Sequence, residues 1–243
     1  MNKQVLILCP HPDDEIFVFP VVNSDLIGKA KISALFFIES KVRRKEAQQS
    51  CLRKNWEALF ISDFGYSFTD SLVHINYENL NNVLLKIFND YAIILSPLIE
   101  GGHQDHDTIG FCTVMNAKYL RDRKIYFYPT YTSFGQYGLF SIMASNTYSN
   151  KVFTRIKRNF THYPLESFYH MFFIYKSQLK SWLLVLLPYI FNLVQKRPAQ
   201  LYILKTNSFS SKNKLLKKLK GRPLYEIHKR CKQNIWKYHL TLN

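Results

Sequence analysis

The sequence predicts an α/β fold: an open, mostly parallel sheet flanked by helices and followed by a basic, aromatic-rich C-terminal extension. Three observations carry this expectation. Short apolar runs alternate with longer segments of helical periodicity through roughly the first 130 residues, the order that produces parallel strands joined by crossover helices. At 243 residues the chain can bury a substantial core in one large domain. Charge is also segregated: residues 1–150 hold 14 Lys+Arg against 15 Asp+Glu, and residues 151–243 hold 19 against 2.

The elements follow in order. Val5–Cys9 reads as the first strand and Asp14–Gly28 as a weakly patterned helix. Ile32–Ile38 is a second strand. Arg43–Leu59 reads as a helix, with Ala47, Cys51, Leu52, Trp56 and Leu59 near a helical repeat. Asn76–Asn89 is a further helix with Leu80, Val83, Leu84 and Ile87 as its stripe; Tyr91–Leu98 is a buried strand, Thr108–Arg121 a helix and Lys124–Tyr128 a strand. This alternation is Rossmann-like, although the Gly-rich dinucleotide fingerprint is absent and no internal repeat is visible. The expected division is a catalytic core over 1–135 and, over 136–243, a lid and basic helical extension packed on the same domain. Gln136–Asn150 is read as the lid, Ser167–Leu204 as an apolar core or membrane-surface helix, and Lys212–Arg222 as a basic amphipathic stretch.

Composition narrows the setting. Cys9, Cys51, Cys112 and Cys231 are widely spaced, with no Cys-x-x-Cys pair, so packed, reduced thiols are expected. The opening run Lys3–Cys9 lacks a signal peptide's apolar length, and the protein is expected in the cytoplasm. Ser181–Gln195 is uncharged but interrupted by Pro188, too short for the roughly 20 apolar residues of a membrane span. Contact with the inner membrane face, through this run or the basic tail, remains open.

Two segments hold most of the chemistry: Pro10-His11-Pro12-Asp13-Asp14-Glu15 and Gly101-Gly102-His103-Gln104-Asp105-His106. Each follows a strand and precedes a helix, so both fall where an open α/β sheet binds ligands. Together they offer His11, Asp14 and His106 as a two-histidine, one-carboxylate metal set, with Asp13 and His103 available for proton transfer. Three protein ligands and an open position suit a catalytic zinc. Asp105 or Asp107 can orient an imidazole from behind. The competing reading makes Asp13 and Asp14 no more than acids at a helix N-terminus, and leaves the histidines solvated.

The chain resembles the LmbE-like, PIG-L-type zinc de-N-acetylases through Pro10–Glu15, Arg43-Arg44-Lys45-Glu46-Ala47 and His103-Gln104-Asp105-His106. The resemblance spans roughly residues 3–130. It implies His11, Asp14 and His106 as zinc ligands, with Fe2+ as the alternative ion, and Asp13 as general base. It implies His103 as the group that stabilises the oxyanion and can protonate the leaving amine. Arg43 becomes a substrate contact, or else a surface partner of Glu46 one turn on. Ile16-Phe17-Val18-Phe19 stands where the family usually has glycines, and Gln104 where it commonly has proline.

The implied activity is hydrolytic removal of acetyl from an N-acetylated amino sugar, N-acetylglucosamine-type and nucleotide- or lipid-linked, in glycoconjugate or surface-polysaccharide synthesis. The basic tail suits an anionic conjugate or an anionic membrane, and no nucleic-acid partner is expected. The rivals are a metal-dependent phosphoesterase or nuclease, and a non-catalytic binding protein on the same scaffold.

Overall fold

The computed structural model describes residues 4–99, 103–120, 122–130, 152–156, 160–161, 163–194 and 199–204. The predicted lid at 136–150, the basic stretch at 212–222 and Cys231 lie outside them.

Seven strands form one sheet in the order β3-β2-β1-β4-β5-β7-β6. They are β1 (Gln4–Cys9), β2 (Lys31–Phe36), β3 (Glu57–Phe60), β4 (Ile93–Pro97), β5 (Lys124–Tyr128), β6 (Phe153–Arg155) and β7 (Tyr202–Leu204). The first five pair in parallel, and β7 and β6 close one edge antiparallel. The order therefore reverses between β1 and β4, the point at which an open sheet presents a crevice.

The central strand shows why the sheet is buried on both faces. In β1, Leu6 and Leu8 enter one apolar cluster with Ile94 and with Leu80, Val83 and Leu84 of α3 (Tyr77–Phe88). Val5, Ile7 and Cys9 enter the opposite cluster with Ala34, Phe36 and Ala47. A period of two in a continuous apolar run gives each face its own core. Cys9, Cys51 and Cys112 are buried free thiols.

Four boundaries differ from the sequence reading. After β1 the chain forms a 3-10 turn over Asp14–Val18 and a short α1 (Phe19–Val22), not a helix to Gly28. The second predicted helix is α2 (Lys41–Arg53), which starts at Ser40, whose Oγ accepts from the Arg43 amide. It stops before Asn55, which sits at φ 55°, and Glu57–Phe60 becomes a strand. Leu59 thus pairs with Leu35 of β2 instead of continuing a helical stripe. The fourth helix, α4 (Gln104–Asn116), begins four residues earlier than expected, inside the second motif. Gly110 lets α4 lie on β4, because a Cβ there would stand 2.6 Å from the Pro97 carbonyl oxygen.

The apolar segment after residue 163 is helical but broken. It comprises α5 (Pro164–Tyr169), a π turn over His170–Ile174, a 3-10 turn at Lys176–Gln178 and α6 (Leu179–Val194). Met171, Ile174, Tyr175 and Trp182 pack on Ile16 and Phe19, while Leu183 and Val194 of α6 are exposed. The bulky residues after the first motif therefore have a partner surface. The terminal strands β6 and β7 are three residues each, too short to show a period in sequence. No helix among the described residues is long and apolar enough to cross a membrane.

Candidate metal centre

Adjacent parallel strands β1 and β4 deliver the two motifs to the same edge of the sheet. His11 Nδ1, Asp14 Oδ2 and His106 Nε2 converge there, with separations of 3.3 Å between the imidazoles, 3.4 Å from His11 to Asp14 and 3.3 Å from His106 to Asp14. All three residues are buried. A tetrahedral zinc bound at 2.0–2.1 Å sets its ligand atoms roughly 3.3 Å apart, so the triangle fits that ion. Three atoms offering lone pairs at these distances need a shared cation or proton between them.

The outer contacts orient these side chains. His11 Nε2 faces Asp105 Oδ2 at 3.4 Å and Asp70 Oδ1 at 3.5 Å, and His106 Nδ1 lies 3.2 Å from the Thr130 hydroxyl. A carboxylate or hydroxyl behind an imidazole fixes its ring and tautomer. Asp105 is itself held, since it accepts from the Ser71 amide at 2.7 Å and the Val73 amide at 3.2 Å. Asp70 and Thr130 carry no motif signal in the sequence; only folding brings them to the histidines.

Electrostatics favour positive charge at this point. Burial alone would lower the His11 pKa, but Asp105, Asp14 and Asp70 raise it well above the ordinary imidazole value. Burial alone would raise Asp14, yet His106 and His11 hold its carboxyl far below the usual range. A divalent cation would supply the same charge at that place.

The remaining motif residues surround the triangle without joining it. Asp13 adopts φ 112°, a left-handed conformation disfavoured for a residue with a Cβ. That twist separates its direction from Asp14's, so neighbouring acids serve different positions. Burial, and secondarily the Asp14 charge, push the Asp13 pKa well up, while Arg43, 3.7 Å away, opposes the shift. Arg43 also donates to the Pro12 carbonyl at 3.4 Å. Glu46 is used elsewhere, accepting from the Ser177 amide at 2.8 Å and the Ser177 hydroxyl at 2.5 Å.

His103 caps α4, its Nδ1 accepting from the Asp105 amide at 3.2 Å. That bond places the ring proton on Nε2. Burial, with the nearby His11 and His106, lowers the His103 pKa to about 3, so the ring is neutral near pH 7. His11, Asp13, Asp14, Arg43, Asp70 and His103 line one cavity, which Phe17, Gln178, Ser181 and Trp182 complete.

Residues 6–117 match the family model described as PIG-L, GlcNAc-PI de-N-acetylase. Over that stretch the chain is similar to the PIG-L family. Its members named by that description are hydrolases that remove an N-acetyl group, and the matched stretch contains every motif residue described above. No curated protein matches this chain. Among solved structures it is similar to a zinc-inhibited form of the teicoplanin deacetylase Orf2, with a TM-score of 0.60 and 12% identity, covering 85% of this chain and 100% of that one. A deacetylase–teicoplanin complex gives 0.59 at 10% identity, covering 84% and 100%. The 4-carboxy-2-hydroxymuconate hydratase GalB from Pseudomonas putida gives 0.51 at 10% identity, covering 84% and 95%. At such identities these neighbours establish the fold alone. A hydratase among them means that activity must be argued from the site.

Proposed function

We propose that this protein is a PIG-L-type, zinc-dependent N-deacetylase acting on an N-acetylated amino sugar. The observation that carries the reading is the His11–Asp14–His106 triangle, with a non-ligand carboxylate of raised pKa beside it. Zinc held by these three residues would polarise the amide carbonyl and acidify a water; ferrous iron is the alternative ion. The family description and the deacetylase crystallised with teicoplanin support an acetylated sugar as substrate.

The chain's own residues divide the proton and charge chemistry. Asp13, its basicity raised by burial, accepts the proton of the attacking water, and Arg43 orients it. His103 Nε2–H donates to the developing oxyanion, a contact that in comparable sites is worth roughly 3 kcal/mol. A neutral imidazole is a poor acid, so Asp13 returns its proton to the departing amine. This assigns His103 to the oxyanion and moves amine protonation to Asp13. Acetate and a free amino sugar are the products.

The wider setting is part of the proposal. We place the enzyme in the cytoplasm, in glycoconjugate or surface-polysaccharide assembly, with a nucleotide- or lipid-linked conjugate as substrate. Support comes from the buried free thiols and from the charge of residues 151–243. That same charge suits contact with an anionic membrane surface. The deciding experiment measures acetate release from N-acetylglucosamine conjugates after chelation and after zinc is restored. Zinc-dependent release is expected; no release from metal-loaded protein overturns the proposal.

A further inference from the structure

The C-terminal wall of the cavity is built from residues outside both motifs and outside the matched region. Trp182, in the first turn of α6, is only 4% exposed, lines the cavity and packs with Ile16, Phe19 and Tyr175 on its other side. Its ring lies 5.9 Å from that of Phe17 at an angle of 42°, and Phe17 lines the cavity too. The Trp182 Nε1 is buried and has no hydrogen-bond partner among the described residues, and the same holds for Arg43 Nε. Buried indole N–H groups ordinarily find an acceptor. Two unpartnered donors on side chains that line one cavity fit a ligand that carries oxygen acceptors.

The wall is fixed in place by the first half of the chain. Arg43 and Glu46 stand one turn apart on α2; Arg43 lines the cavity while Glu46 holds Ser177, two residues before α6. Helix α2 thus sets the position of Trp182 relative to the reacting groups. The cavity measures about 200 Å³, below the roughly 300–1,000 Å³ of sites for drug-sized ligands, so it suits one sugar residue and not a chain of them. Arg43 is the one Lys or Arg among the described lining residues, against the carboxylates of Asp13, Asp14 and Asp70. The wall therefore offers no surplus positive charge for a phosphate.

We infer that Trp182 and Phe17 form a sugar subsite that selects a single uncharged N-acetylhexosamine ring, with any anionic carrier lying outside the cavity. The C–H face of the ring rests on the aromatic pair, and a ring hydroxyl or ether oxygen accepts from Trp182 Nε1. Trp182 is a specificity residue for the proposed deacetylation, and the inference rests on that reading.

The test compares Trp182→Phe, which deletes the N–H but keeps an aromatic face, with Trp182→Ala. The probes are N-acetylglucosamine and the acyclic amide N-acetylethanolamine. Trp182→Phe should lower kcat/KM for the sugar roughly three- to tenfold, mostly through KM. Trp182→Ala should lower it about thirtyfold or more, with the acyclic amide changed less than about twofold in both variants. An equal loss on both substrates, or no loss on the sugar, overturns the subsite. A parallel arm measures N-acetylglucosamine binding calorimetrically in the Asp13→Asn background, with and without Trp182→Phe. If the wild type releases no acetate from either probe, this arm decides the subsite, and the deacetylase reading stands or falls on the conjugate assay. Weaker sugar binding without the indole N–H supports it; no sugar binding, or unchanged affinity, overturns it.

Discussion

Asp14 and Glu15 are neighbours in one motif, both buried, and their carboxyl groups are driven in opposite directions. Asp14 faces His11 and His106 and is held far below the carboxylate range. Glu15 points the other way, into a cluster with no cation. Its Oε1 accepts from the Ser50 hydroxyl and the Tyr175 hydroxyl, each at 2.5 Å, and its Oε2 from the Asp13 amide at 3.1 Å. Burial pushes its pKa up to about 7 against the pull of those donors. His170 Nδ1 donates to Ser50 at 2.9 Å, since the Ser50 proton is committed to Glu15. One carboxylate is thus arranged to hold a cation, and the next ties the motif to α2 and to the C-terminal helices. Burial alone distinguishes neither; the facing groups do.

Breaking the first cluster should produce the largest effect. His106→Ala is expected to lose stoichiometric zinc, read by elemental analysis after gel filtration, and with it turnover by about 10³-fold or more. Full metal occupancy in that variant would remove His106 from the ligand set. Asp13→Asn should keep the metal and lose about 10²- to 10⁴-fold in kcat. Loss of metal instead would make Asp13 a ligand.

Breaking the second cluster should cost stability before chemistry. Glu15→Gln turns an acceptor-only group into one with an N–H₂ facing donors, and should destabilise by about 1–3 kcal/mol in urea melts while zinc content holds. A variant that melts like wild type but loses zinc would merge the two clusters into one.

The smallest effect is a pH dependence. His170 is driven down to about 4, first by burial, which Glu166 opposes, and then by Lys54 and Arg53. Its folded pKa lies below the unfolded value near 6.5, so the unfolded chain binds the proton more readily in between. Stability from this group is therefore complete above pH 6.5 and lost as pH falls towards 4. Metal-free wild type should lose up to roughly 2 kcal/mol from this source between pH 7 and pH 5, and His170→Gln should show a flatter profile over that interval. Parallel profiles would mean that His170 does not titrate there.

The parallel core and the His11–Asp14–His106 cluster were legible in the chain because each rests on local pattern. Continuous apolar runs with interleaved helical stripes imply a parallel sheet buried on both faces, and β5 falls at Lys124–Tyr128 as its composition indicates. His11 and Asp14 lie three residues apart at a strand exit, and His106 follows the strand beside it. Rigid strands then bring them together with little freedom to fail. Folding alone decided the rest. Asp70, Thr130, Ser50, His170 and Trp182 sit on segments distant in sequence, and no short-range period marks a residue whose partner is 24 to 165 positions away. The twist at Asp13 and the stop at Asn55 were hidden for a related reason, since left-handed backbone at a non-glycine residue is imposed by the surrounding contacts. Sequence determined which groups could bind a cation; tertiary packing determined which carboxylate faces both imidazoles and what closes the cavity around it.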